Sequence, residues 1–215
     1  VVRSPKSYNS QIGVPLSVWK MSKDNELALI EAGISKVGEM VLLDKIIRPN
    51  DVILTNIHEA HDENFTNRFD KAKEKLSLAK DAERIFYCSD YAEIAHCVSK
   101  LENIKKISWS INDEKCNFYI KKINKTAKFS KIDAIYSKSK IKIEIPFTDN
   151  ASIENAIHCW LYLLESGYSN SVIAERMMGL VAVTMRLDLK AGINGNTLIN
   201  DSYNSDIASL GIALD

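Results

Sequence analysis

The sequence has no net charge. Its 28 basic and 28 acidic side chains cancel, so no global field draws it to nucleic acid or to an anionic membrane surface. It has no apolar run long enough to cross a bilayer, and no signal-peptide pattern opens it. The four cysteines, Cys88, Cys97, Cys116 and Cys159, show no C-x-x-C spacing. A reduced, cytosolic protein with incidental core thiols is the expectation. No internal repeat or low-complexity segment is present. The ends read as cut: Val1-Val2 begins like the tail of a strand without an initiator Met, and residues 208–215 stop inside a helical pattern. A domain excised from a longer protein is therefore expected. At 215 residues and 46% hydrophobic composition, the chain can build one large domain with a full core, or a domain plus an appendage.

What is present is organised around residues 51–75. Val52-Ile53-Leu54, introduced by Pro49-Asn50, reads as a buried strand. At Thr55-Asn56 the run stops, and His58, Glu59, His61, Asp62 and Glu63 follow. Thr66 or Asn67 then offers an N-cap for a helix carrying Phe69, Ala72, Lys73 and Leu76. In an open α/β sheet, ligands gather at the carboxyl ends of strands, which gives this polar cluster a chemical reading. A polar surface loop is the other reading.

Around that stretch the chain alternates. Val14-Pro15 opens a helix to about Trp19, Leu27–Ile30 reads as a second buried strand ending on Glu31, and a short helix covers about Gly38 to Ile47. Ile85–Cys88 and Ile104–Trp109 are further strands, with a helix between them that Asp90 is expected to cap. From Cys116 to Phe147 the period changes to two, as in antiparallel hairpins exposed on one face. The lysines there, from Lys121 to Lys142, read as solvated strand faces rather than a nucleic-acid track. Two helices over 151–165 and 169–180 join through Gly167, and a hairpin signal surrounds Gly192–Gly195. The expected fold is α/β: three-layer and Rossmann-like, with a mostly parallel sheet, helices on both faces and a small antiparallel β insert at about 112–147, in one domain over 1–215. Three strand ends carry polar groups, at Glu31, at the His61 cluster and at Asp201. That arrangement suits a divalent metal bound with a phosphate substrate.

Six pieces of wording occur in fixed order: Tyr8-Asn-Ser-Gln-Ile-Gly-Val-Pro15; Ile30-Glu-Ala-Gly33 with Gly38-Glu39; Thr55-Asn-Ile-His-Glu-Ala-His61; Lys71-Ala-Lys-Glu74; Arg186; and Asn200-Asp-Ser-Tyr-Asn204. Together they resemble the central, ATP-binding domain of the Mur ligases over nearly the whole chain. Within that family the wording is most similar to the branch that adds D-alanyl-D-alanine to UDP-N-acetylmuramoyl-tripeptide. Ser4-Pro-Lys-Ser-Tyr-Asn-Ser-Gln resembles its Bacteroidetes form, which is fused to an alanine racemase. Any pyridoxal phosphate would belong to that racemase domain, outside this chain.

The resemblance implies ATP and Mg²⁺ as cofactors, with no nucleic acid and no membrane insertion. It also implies a mechanism in which ATP phosphorylates the peptide carboxylate and the incoming amine attacks the acyl phosphate. By the same resemblance Glu31 and His61 are the metal ligands, although histidine is an unusual partner for a hard cation. Lys73 aligns with the lysine that the family carbamylates, and Lys71 and Lys75 point elsewhere on the helix. Asn155 aligns with an asparagine near the adenine, and Arg186 with an arginine that reaches the phosphates. Asp201 accepts from the ribose hydroxyls with Tyr203 and Asn204 beside it, and Asn9 and Ser10 lie in the loop on the muramoyl-peptide side. Two positions depart from the family pattern: Asp149-Asn-Ala-Ser152 stands for Gly-x-His-Asn, and Thr184-Met185 for Pro-Gly.

No phosphate-cradling G-x-x-x-x-G-K-S/T occurs in the sequence. The family's loop, with its strand and helix, would lie before residue 1. The expectation is a fragment that is inert alone and self-associates through its truncated sheet. A sister Mur or folylpolyglutamate-type ligase, and a noncatalytic binding or assembly domain of the same fold, are the competing readings.

Overall fold

The structure is a computed structural model that describes residues 1–57, 64–181 and 188–200, with the backbone alone at 188–190. The chain falls into two compact units, Val1–Asn117 and Phe118–Asp215.

The first unit opens with β1 (Val2–Arg3), α1 (Gly13–Val18), β2 (Ala28–Leu29) and α2 (Glu39–Ile47). It continues with β3 (Asp51–Leu54), α3 (Arg68–Leu76), β4 (Arg84–Cys88), α4 (Ala92–Ser99) and β5 (Lys105–Ser110). β3, β4 and β5 are parallel neighbours, Val52 opposite Ile85 and Ile85 opposite Lys106. Parallel neighbours need a crossover, and α3 and α4 supply it. Across the first register pair, Asp51 accepts from Arg84 Nε at 2.7 Å and from its terminal nitrogen at 2.5 Å. That two-pronged contact is the geometry Arg favours with carboxylates, and it pins the β3–β4 register.

Periodicity explains the packing. Val52, Leu54 and Ile85 meet Ala72, Leu76, Ile94 and Val98 from α3 and α4 in one buried cluster. A second cluster joins Val14 of α1 to Ile34 and to Met40 and Leu43 of α2. Asn67 caps α3, its side chain accepting from Asp70 N at 2.9 Å, a contact worth about 1 kcal/mol.

Two expectations are corrected. The strand expected over Leu27–Ile30 is two residues long, pairs among the described residues with β1 alone, in parallel, and leaves Leu29 half exposed. Asp90 does not cap α4, whose N-cap is Tyr91 with no side-chain capping hydrogen bond. Its carboxylate instead accepts from Ser110 Oγ and from Ile111 N at 2.7 Å. It ties the carboxyl end of β4 to that of β5.

The second unit begins with an antiparallel meander of β6 (Phe118–Lys125), β7 (Ser130–Tyr136) and β8 (Ser139–Ile145). Phe118, Ile120, Ile132, Ala134, Ile143 and Ile145 are buried on one face. All eight lysines from Lys121 to Lys142 are exposed, as a solvated face requires. A register irregularity between Ile120 and Lys122 lets two consecutive lysines face solvent. α5 (Asn150–Glu165) buries Ile153, Ile157, Trp160 and Leu161, with Trp160 edge-on to Phe118 at 4.8 Å. Trp160 Nε1 donates to Asn170 Oδ1 at 2.8 Å, at the start of α6 (Asn170–Met178). β9 (Asp188–Ala191) and β10 (Thr197–Asn200) form the expected antiparallel hairpin. The four cysteines are free. Cys88 and Cys97 are core thiols, whereas Cys159 lies at the surface. Among the described residues, no helix is long and apolar enough to cross a membrane.

Gly13 tests how tightly α1 is seated. A Cβ there would come within 2.6 Å of Tyr8 Cα, so Gly13→Ala must displace backbone. It is expected to cost about 2 kcal/mol by urea unfolding. At Gly179 the nearest atom would be 3.5 Å away, so Gly179→Ala should stay within about 0.5 kcal/mol.

Candidate active site

Glu31 stands two residues beyond β2, and the loop that follows β1 is built around it. Ser4 Oγ accepts from Glu31 N at 3.0 Å. Asn9 Nδ2 donates to Glu31 Oε1 at 2.8 Å, and Gly33 N donates to Asn9 O at 2.8 Å. Since a carboxylate only accepts, the Asn9 amide orientation is unambiguous. Gly33 permits the approach: a Cβ there would sit 3.3 Å from the Asn9 amide carbon and nitrogen. Glu31 Oε2 has no partner among the described residues. Ser10 serves the fold locally, its O accepting from Val14 N at 2.9 Å and its Oγ from Gly13 N at 3.4 Å.

Beyond β3 the described chain runs through Asn56 and Ile57 and resumes at Asn64. His61, with His58, Glu59, Asp62 and Glu63, lies outside the described residues. On α3, Lys73 is well exposed and sits 3.4 Å from Asp70, a surface pair of little energetic consequence. Lys73 lines an open cleft of about 420 Å³ with Val37, Asn64, Thr66, Asp70 and Glu74. Glu74 Oε1 also accepts from Gly38 N at 2.9 Å and Met40 N at 3.0 Å. It thereby ties α3 to the start of α2, where Gly38 takes the left-handed conformation that glycine adopts without penalty.

The neighbouring lysines turn the other way. Lys71 is buried with its ammonium 5.7 Å from the Phe65 ring centroid. Lys75 Nζ donates to Asn56 O at 3.2 Å, so Lys75 reaches the carboxyl end of β3. Sequence reasoning set this residue aside. The available signal was its place beside Ala72 and Leu76 on the apolar stripe of the helix. Burial, and then the Lys71 charge, push the Lys75 ammonium below the ordinary lysine value.

The structure thus brings Asn9 and Glu31 into contact and places Lys73 on the cleft beside α2. Asn155 belongs to the second unit, exposed on α5. Arg186, Asp201, Tyr203 and Asn204 lie outside the described residues. Among the described residues no group of three or more His, Cys, Asp or Glu gathers. Glu31, with one oxygen unpartnered among the described residues, is compatible with Mg²⁺, which is commonly held by one or two carboxylates with phosphate oxygens and water completing the shell.

Comparison with known proteins gives a consistent result. The family described as Mur ligase middle domain matches residues 1–163, a span that includes Asn9, Glu31, Lys73 and Asn155. UDP-N-acetylmuramoyl-tripeptide--D-alanyl-D-alanine ligase from Borreliella burgdorferi is 32% identical over 216 residues, covering 94% of this chain and 43% of the relative. MurF from Acinetobacter baumannii superposes with a TM-score of 0.84 at 19% identity, over 98% of this chain and 46% of that one. MurF ligase from Thermotoga maritima, solved in complex with ADP, superposes at 0.82 with 18% identity, over 99% and 49%. At those identities the structures speak to the fold alone. The chain spans less than half the length of these relatives.

Lys75 yields a pH prediction. Its folded value lies below the ordinary lysine value of about 10.4, so between the two the unfolded chain holds more protons. Stability therefore rises with pH across that interval. Urea unfolding free energies should climb as pH rises toward about 10, and Lys75→Met should flatten the climb. An unchanged slope in the variant would contradict the buried placement.

Proposed function

The chain belongs to the Mur ligase family, whose middle domain matches residues 1–163, and from that membership we propose that it is the ATP-handling part of a ligase that adds D-alanyl-D-alanine to UDP-N-acetylmuramoyl-tripeptide. The observation that carries the reading is the family match over residues 1–163, with a D-alanyl-D-alanine ligase aligned across 94% of the chain. In this reading a carboxylate oxygen of the tripeptide attacks the γ-phosphorus of ATP and ADP leaves. The D-alanyl-D-alanine amine then attacks the acyl carbon, and phosphate departs. Both steps depend on positioning and on neutralising phosphoryl charge rather than on covalent help from the protein.

Glu31 and His61 are the proposed ligands of Mg²⁺, which supplies that neutralisation when bound. A carbamate on Lys73 would turn a cation into an oxygen ligand facing the cleft. Asn155 is assigned to the adenine, Arg186 to the phosphates, and Asp201 with Tyr203 and Asn204 to the ribose. Asn9 and Ser10 are assigned to the loop on the muramoyl-peptide side. The setting is cytoplasmic, and pyridoxal phosphate would enter only through a racemase domain fused outside this chain. The 215 residues carry no G-x-x-x-x-G-K-S/T, so this piece by itself is proposed to be inert. The two-strand β1–β2 ladder and the edge position of β3, which pairs with β4 on one side, leave open strand edges among the described residues, and these make it prone to self-association.

The test is coupled phosphate release by the full-length protein with UDP-N-acetylmuramoyl-tripeptide, ATP, Mg²⁺ and D-alanyl-D-alanine, the 215-residue piece run beside it. Turnover lost in His61→Ala, with silence from the piece, is expected. Turnover only with another acceptor would move the assignment to a sister or folylpolyglutamate-type ligase. No ligase turnover with any acceptor would favour a noncatalytic assembly domain. Sedimentation of the piece should show concentration-dependent association.

A further inference from the structure

The Asn9 side chain makes a single hydrogen bond among the described residues, and it goes to Glu31. We infer that Asn9 is a positioning residue for the metal site: its amide occupies Glu31 Oε1 and so presents Oε2 to a divalent cation. This rests on the reading of Glu31 as a metal ligand given above. It changes the part played by Asn9, whose one strong side-chain donor contact is directed at the carboxylate rather than kept for the peptide substrate.

Three features support the assignment. The carboxylate is fixed from two directions by one short loop, with Ser4 holding its backbone and Asn9 its side chain. Asn9 is itself fixed, because its carbonyl receives Gly33 N at 2.8 Å. Gly33 lies two residues beyond Glu31, and a Cβ there would press on the Asn9 amide at 3.3 Å. Ser4, Asn9, Glu31 and Gly33 therefore form a closed unit in which backbone bonds place the amide and the amide places the carboxylate. A carboxylate that keeps one oxygen for a metal commonly has the other held by a neighbouring donor, and losing such a donor typically costs tenfold or more in metal affinity. An amide donor suits this task because it adds no charge to compete with the cation.

The test is Mn²⁺ binding to the full-length protein in the presence of ADP, followed by electron paramagnetic resonance. It compares wild type with Asn9→Ala, Asn9→Asp, Gly33→Ala and Glu31→Ala. Asn9→Ala is expected to weaken Mn²⁺ about tenfold with thermal unfolding unchanged, since the Asn9 carbonyl bond to Gly33 survives the substitution. Asn9→Asp keeps the shape but replaces the donor by an acceptor, and should fail to restore the carboxylate geometry. Gly33→Ala leaves Asn9 in the chain but presses on its amide, so it should weaken Mn²⁺ in the same direction. Wild-type affinity in Asn9→Ala and Gly33→Ala, with loss in Glu31→Ala, would overturn the positioning role and leave the metal reading intact. Wild-type affinity in Glu31→Ala would overturn both.

Discussion

The hydrogen bond between the Asn9 amide and Glu31 is the contact on which the candidate site turns. Between exposed groups such a bond is worth about 1 kcal/mol, too little to hold a domain together. The same energy shifts the orientation of one carboxylate several-fold, which matters where a cation must find an oxygen waiting. The fold makes this small energy sufficient. Glu31 follows β2, which runs parallel to β1, and the loop leaving β1 returns over the end of β2 because both strands finish on the same side. Gly33 and Gly13 then allow the loop to lie close, each at a point where a Cβ would meet the 8–9 segment.

The same constraint orders the rest of the first unit. β3, β4 and β5 run parallel, so their carboxyl ends also share one side. Each end carries a polar group held by a neighbour: Asn56 O receives Lys75, and Asp90 receives Ser110 and Ile111. Two different uses of charge result. Asp90 is committed to closing the turns after β4 and β5. Glu31 keeps one oxygen uncommitted among the described residues, and only an uncommitted group can serve a ligand.

Much of this was legible in the sequence, for identifiable reasons. Local patterns declared themselves: the meander by its period of two, and α3 by the cap offered at Thr66 or Asn67. Family wording at Tyr8–Pro15 and Ile30–Gly33 marked the loop and the strand end that meet in the structure. Contacts distant in sequence were illegible. Asp90 looked like a cap because it precedes a helix, yet its partners lie 20 and 21 residues away, where no local rule reaches. β2 looked longer than it is because four apolar residues suggest a strand, while pairing to a two-residue partner limits it to two. Lys73 drew attention by family resemblance, while Lys75, whose ammonium reaches Asn56 O beyond β3, was passed over because lysine is ordinarily a surface residue, although its place on the apolar stripe pointed inward.

The most direct test of the account is an anomalous-scattering map of the full-length protein crystallised with Mn²⁺ and a non-hydrolysable ATP analogue. The account predicts a Mn²⁺ peak within bonding distance of Glu31 Oε2 and of a phosphate oxygen, with Oε1 still on the Asn9 amide. A metal bound to the nucleotide with Glu31 left outside its shell would contradict it.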